Sequence, residues 1–191
     1  AGAVTADGWH DERGILAARL PARVVDRWLV GGVGVEVLTE RGAVAAGEAV
    51  TTSARVEAGE PVMGIDIDEG TIPQETGLMQ EAVSYDKGCY LGQELVARIE
   101  TRGHVNRMLR GMIIDGDVAP GTGAAVVHDG EVVGTATSVG TSHRLGCPVA
   151  MGLLRVAAGP GARVMLQWDD AAAAATVAEL PLDPSLATTS G

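Results

Sequence analysis

The sequence predicts an α+β protein: an α/β lobe over residues 1–104, then a small antiparallel β-barrel or sandwich over residues 105–191. Three observations carry this prediction. Leu91, Leu95, Val96 and Ile99 recur at steps of four, one and three, which marks one face of a helix. From Arg107 onward the apolar runs are short, β-branched and split by Gly, Pro or Asp. Within them "HDGE" (128–131) sets Asp-Gly between two β-branched runs, the strongest local hairpin signal in the chain.

Taken in order, residues 1–14 read as a polar lead-in. "GILAARL" and "RWLVGGVGVEVL" read as strands, the second turning at Gly31-Gly32. Ala43 to Val56 is rich in Ala and Glu and reads as a helix, against which Gly47 and Thr51-Thr52 count. "GEPVMGIDIDEGTIPQETGL" is dense in Gly, Pro and acids and reads as loop with short extended pieces. The amphipathic helix is expected from Tyr90 to Arg102, with Glu94 in its first turn and Gly103 just past its end. The strands that follow are "RMLRGMII", "AAVVH", "EVVGTATSVG", "PVAMGLLRV" and "ARVMLQW", with a turn at "AAGPGA". The alanine run 171–175 has helical propensity, but an Asp-Asp turn and a strand precede it and "TVAELPL" follows, so it reads as a closing strand. The boundary is expected near 104–106, with no low-complexity linker and no internal repeat.

Composition bounds the function. Of 191 residues 46% are hydrophobic, which argues against disorder, yet there is no Phe, so Val, Leu, Ile, Ala and Met must build the core. A net charge of -11 without a basic cluster argues against direct nucleic-acid binding. The start shows neither a basic n-region nor an apolar h-region, no apolar run reaches membrane-spanning length, and the two cysteines are far apart. These features predict a protein of the reducing cytoplasm with no membrane partner. His10, His104, His128 and His143 form no metal spacing and are expected to be exposed. Asp66, Asp68 and Glu69 lack the EF-hand spacing and read as a solvated loop, so no metal site is expected.

Cys89 lies just before the expected helix, where backbone amides and the Lys87 ammonium both favour a thiolate. Spacing alone leaves a second reading equally open, that of a small buried apolar residue. Cys147, in "RLGCPV", has only Arg144 nearby and reads as core.

"KGCYLGQELVARIETRG" resembles the signature of the YgfZ family of folate-binding proteins, K-G-C-[YF]-x-G-Q-E, over all eight positions. Upstream, "RVEAGEPVMGIDID" and "IPQETGL" resemble segments that this family shares with the T-protein of the glycine cleavage system. Downstream, "VGTATSVGTS" and "PVAMGLLR" resemble that superfamily's C-terminal barrel. The resemblance runs in order over about residues 50 to 180. It implies a partial T-protein-like cloverleaf, three lobes around a channel for tetrahydrofolate, in which the C-terminal strands close a β-barrel.

The resemblance also implies a folate-binding accessory factor for iron-sulfur enzymes, including radical-SAM enzymes, with an indirect effect on tRNA modification. The sites it implies are Cys89 and Lys87 as the reactive pair, Glu57 and Glu75 as pterin acceptors, Arg107 for the glutamyl end, and Tyr90 against the ligand. The chemistry fits, because a pterin presents N–H donors and a guanidinium is a planar fork. Without the resemblance, Glu57 and Glu75 read as solvated acids, Arg107 as a surface strand residue and Tyr90 as filler at the helix start. The sequence matches the C-terminal half of such a protein, so the T-protein's catalytic aspartate falls outside it. The stretch between "EVLTERGA" and "ARVEAG" is shorter than the family's. Two other functions compete: a tetrahydrofolate-dependent aminomethyltransferase of the T-protein type, which lacks the cysteine, and a non-catalytic scaffold.

Overall fold

The computed structural model describes residues 4–5, 8–10, 16–20, 27–31, 35–79, 105–183 and 185, with only the backbone before residue 36. The expected helix from Tyr90 to Arg102 lies outside them, and the expected boundary at 104–106 borders that segment. The chain forms two units, residues 1–51 and 52–191.

In the first unit β1 (Val4–Thr5), β2 (Gly8–His10), β3 (Leu16–Leu20) and β4 (Arg27–Gly31) form an antiparallel sheet in sequential order. Strands β1 and β2 fall inside the expected polar lead-in; two or three residues are too few to show an alternation. The strand expected through "GVGVEVL" is instead helix α1 (Val35–Glu40). Among the described residues the β3–β4 ladder ends at the Leu16–Gly31 pair, and the chain is helical from Val35.

Helix α2 (Glu48–Ala58) begins five residues later than expected, with Gly47 accepting the first amide bonds from Val50 and Thr51. It ends in a Schellman turn. Gly59 is left-handed at φ 67, its amide bonds to Val56, and Glu60 bonds back to Arg55. The acid-rich stretch is mostly loop, as expected, and ends in α3 (Pro73–Thr76), with Pro at its start and left-handed Gly77 after it.

The barrel strands are β5 (Arg107–Ile114), β6 (Ala125–His128), β7 (Glu131–Thr135), β8 (Ser138–Ser142), β9 (Cys147–Arg155), β10 (Arg163–Trp168) and β11 (Ala171–Ala178). Six close a ring in the order β5-β11-β10-β6-β7-β9, shut by the β5–β9 ladder. Strand β8 continues from β7 along the other edge of β9: β9 pairs β8 up to Met151, then β7 at Leu154. The alanine run is a strand despite its helical propensity, because β11 is hydrogen-bonded on both sides, to β10 and β5.

Two buried clusters result. Met112, Ile114, Val126, Leu154, Val164, Leu166 and Val177 fill one. Val56 of α2 packs in the other with Leu109, Ile113, Val149, Met151 and Leu182. Strand β5 contributes to both, so its "GMII" run is apolar without alternation. Cys147 is half-buried beside the second cluster, and burial, together with the negative charge of Asp115, pushes its thiol above the ordinary range.

The Asp-Gly hairpin forms as expected, joining β6 to β7 with Asp129 at φ 51 and Gly130 at φ 82. A Cβ on Gly130 would meet nothing within 4 Å, so only the left-handed backbone resists a side chain there. Gly130→Ala is expected to cost about 1 kcal/mol. It should lower the urea midpoint at unchanged m-value.

Candidate functional site

A cleft of about 530 Å³ opens in the second unit, between the 64–71 loop and the ends of β5, β7 and β9. Ile67, Val133 and Leu153 give it apolar walls, and Arg107 and Arg155 line it too. Ile65 and Val132 line it and remain exposed.

The loop wall is held by Asp66. Its side chain is 0% exposed and forms a 2.5 Å ion pair with Arg55 Nη1. The Val62 amide donates to the same carboxylate at 2.9 Å, and the hydroxyls of Thr137 and Ser138 each donate at 2.6 Å. Arg55 Nη2 also donates to Ser138 Oγ, at 2.6 Å. Asp66 thus ties together α2, the loop and the start of β8, and the solvated role expected for it is wrong. Its partners are up to 72 residues away, so no local pattern marked it. Asp68, two residues on, is the exposed acid the sequence predicted. The Thr71 hydroxyl, then the Gly70 and Thr71 amides and the Arg107 charge, hold its carboxyl below the usual range.

The two glutamates expected to be solvated on residue chemistry alone are buried instead. Each is paired with an arginine, the usual condition for burying a carboxylate. Glu75 Oε1 accepts from Arg107 Nε at 2.9 Å, while its Oε2 accepts the Ile72 amide at 3.3 Å and caps α3. This carboxylate raises the Arg107 guanidinium above its ordinary value. Glu57 Oε2 accepts from Arg144 Nε at 2.7 Å. Arg144 also reaches the Leu182 carbonyl, and the Leu182 amide returns to the Glu57 carbonyl at 2.8 Å.

The structure therefore joins Glu75 to Arg107 at the cleft and gives Glu57 to Arg144. Arg107 lines the cleft directly; Glu57 and Glu75 are not among its lining residues. Cys89, Lys87 and Tyr90 lie outside the described residues. Sequence reading missed Arg55, Thr137, Ser138 and Arg144 as partners of buried acids: Arg55 is 11 residues from Asp66 and the other contacts span 71 to 87 residues. Among the described residues no group of three His, Cys, Asp or Glu could hold a metal ion. Among them, too, no helix is long and apolar enough to cross a membrane. Chemically, the cleft sets apolar walls beside the cations Arg107 and Arg155 and the exposed carboxylate of Asp68, with Glu75 bonded to Arg107.

Comparison with known proteins places these features. Residues 107–183 match the glycine cleavage T-protein C-terminal barrel domain. An aminomethyltransferase of Streptomyces avermitilis is 34% identical over 133 residues, covering 66% of this chain and 36% of that protein. The tRNA-modifying protein YgfZ of Yersinia enterocolitica is 39% identical over 69 residues, 36% of this chain and 21% of that protein. The crystal structure of the glycine cleavage system aminomethyltransferase T from Bartonella henselae superposes with a TM-score of 0.76 at 24% identity. That match covers 93% of this chain and 52% of the solved one.

Proposed function

The chain is a member of the glycine cleavage T-protein superfamily through its C-terminal barrel, and on that premise we propose that it binds a reduced folate and serves as a YgfZ-type accessory factor for iron-sulfur enzymes. The observation that carries this is the buried Glu75 carboxylate bonded to Arg107 on the lining of the cleft. Arg107 offers the cleft a cation for the glutamyl carboxylates, and Glu75 holds that guanidinium in place. Glu75 as a pterin acceptor rests on the family resemblance. Glu57, also buried and anchored, is the second acceptor in this reading. Tyr90 contacts the ligand.

Cys89 is the reactive thiol in this reading, activated by Lys87 and by the amides of the helix that the sequence predicts from Tyr90. The support is the eight-residue match around it, together with relatives named for tRNA modification. The clients are iron-sulfur proteins such as radical-SAM enzymes, in the cytoplasm. The test combines two measurements. Tetrahydrofolate should bind the protein with a saturable isotherm, and Glu75→Gln should weaken it roughly tenfold. Wild type, but not Cys89→Ala, should restore a methylthiolated tRNA base in a deletion strain. Absence of binding removes the folate reading, and equal rescue removes the role of Cys89.

A second reading, aminomethyl transfer, is favoured by relatives named aminomethyltransferase. Formation of methylene-tetrahydrofolate from glycine in the reconstituted system would select it.

A further inference from the structure

We infer that Arg155 is a second ligand-binding arginine, and that with Arg107 it makes the cleft selective for ligands ending in two carboxylates. This rests on the folate reading above and adds a specificity residue to it. Arg107 and Arg155 are direct cross-strand partners, at the start of β5 and the end of β9. Opposed residues on one face of an antiparallel pair have Cβ atoms about 5 Å apart, and like charges so placed destabilise the pair. The sheet continues past them, with the Val156 amide donating to the Asn106 carbonyl at 3.0 Å, so the two arginines are held in register.

Local acids relieve this repulsion unequally, with Glu75 and the cleft-lining Asp68 both acting on Arg107. Glu75 engages Arg107 through Nε, and a planar guanidinium bound on that edge can still present its other nitrogens; the side chain stays 40% exposed. Among the described residues Arg155 pairs with the exposed Glu131 carboxylate, at 3.7 Å, and its side chain is 64% exposed. An ion pair this open contributes little and is easily exchanged. Two arginines opposed in register on one cleft lining suit two carboxylates carried on one short chain, one to each fork. The apolar walls suit the uncharged body that precedes them.

The experiment titrates the full chain with tetrahydrofolate and with tetrahydropteroate, which keeps the same body but lacks the glutamyl group. Wild type, Arg155→Met and Arg155→Lys are compared. Wild type is expected to prefer tetrahydrofolate by tenfold or more. Arg155→Met should lose roughly tenfold for tetrahydrofolate and nothing for tetrahydropteroate, so the preference collapses, while Arg155→Lys keeps part of it. Because Arg155 is exposed, unfolding midpoints should match and separate this effect from folding. Should Arg155→Met keep the wild-type preference, the inference is overturned and folate binding stands. Should wild type bind both compounds equally, the two-carboxylate selectivity is overturned with it. Should wild type bind neither, the folate reading itself falls.

Discussion

Asp66→Ala is expected to destabilise the second unit by about 3–5 kcal/mol, the usual consequence of removing one partner of a buried ion pair. The wild-type carboxylate has no solvent exposure and accepts from Arg55, from the Val62 amide and from two hydroxyls. Alanine leaves the Arg55 charge, at 16% exposure, with a poorer set of acceptors, and takes an acceptor from three further donors, of which Thr137 keeps the Met151 carbonyl. Asp66→Asn should recover little, because its amide group presents donors where Arg55 and Val62 already donate. Urea denaturation measures the loss. Arg55→Met combined with Asp66→Ala should cost less than the two single losses added, by about 1 kcal/mol or more. Additive losses, or a single-variant loss below about 1 kcal/mol, would show that the network is solvated.

Gly152→Ala is the second large effect, expected to cost about 3 kcal/mol or more. Gly152 sits where the edge of β9 opposite β5 passes from pairing with β8 to pairing with β7. A Cβ there would fall on the carbonyl oxygen of Thr135, well inside contact distance. The obstacle is backbone held in the barrel, not the tip of a flexible side chain, so the strand crossing itself must open. Gly159→Ala is the control: its nearest atom is an ordinary contact at 3.8 Å and its φ is not positive, so the change should lie within about 0.5 kcal/mol. Gly111→Ala should fall between them, since it meets the side chains of Leu182 and Leu180, which can shift. Thermal or urea unfolding of the three variants orders them, and a mild Gly152→Ala would contradict the close crossing.

The barrel was legible because its signals are local. Short β-branched runs, the Asp-Gly turn at 129–130 and the absence of Phe are properties of neighbouring residues, and each has a counterpart in the fold. The alanine run was read correctly only by weighing its flanks against its propensity. Two misreadings concern element type and start: residues 35–40 form helix α1 where the β-branched run suggested a strand, and α2 starts after Gly47, not at the first alanine. The acids were legible only in part. Their identity and the motifs around them marked Glu57, Glu75 and Arg107 for attention. Which arginine each acid would receive was not written in any spacing.

By itself, then, the sequence determined the element types after residue 105, the apolar stock of the core and membership of the glycine cleavage T-protein superfamily. Only the tertiary structure decided that Asp66 is a buried anchor, that Glu57 belongs to Arg144 and Glu75 to Arg107, and that Arg155 stands opposite Arg107. The physical reason is desolvation. A carboxylate taken out of water must find a cation or donors, and in this chain those lie 32 to 87 residues away from the glutamates, brought near only when the barrel closes.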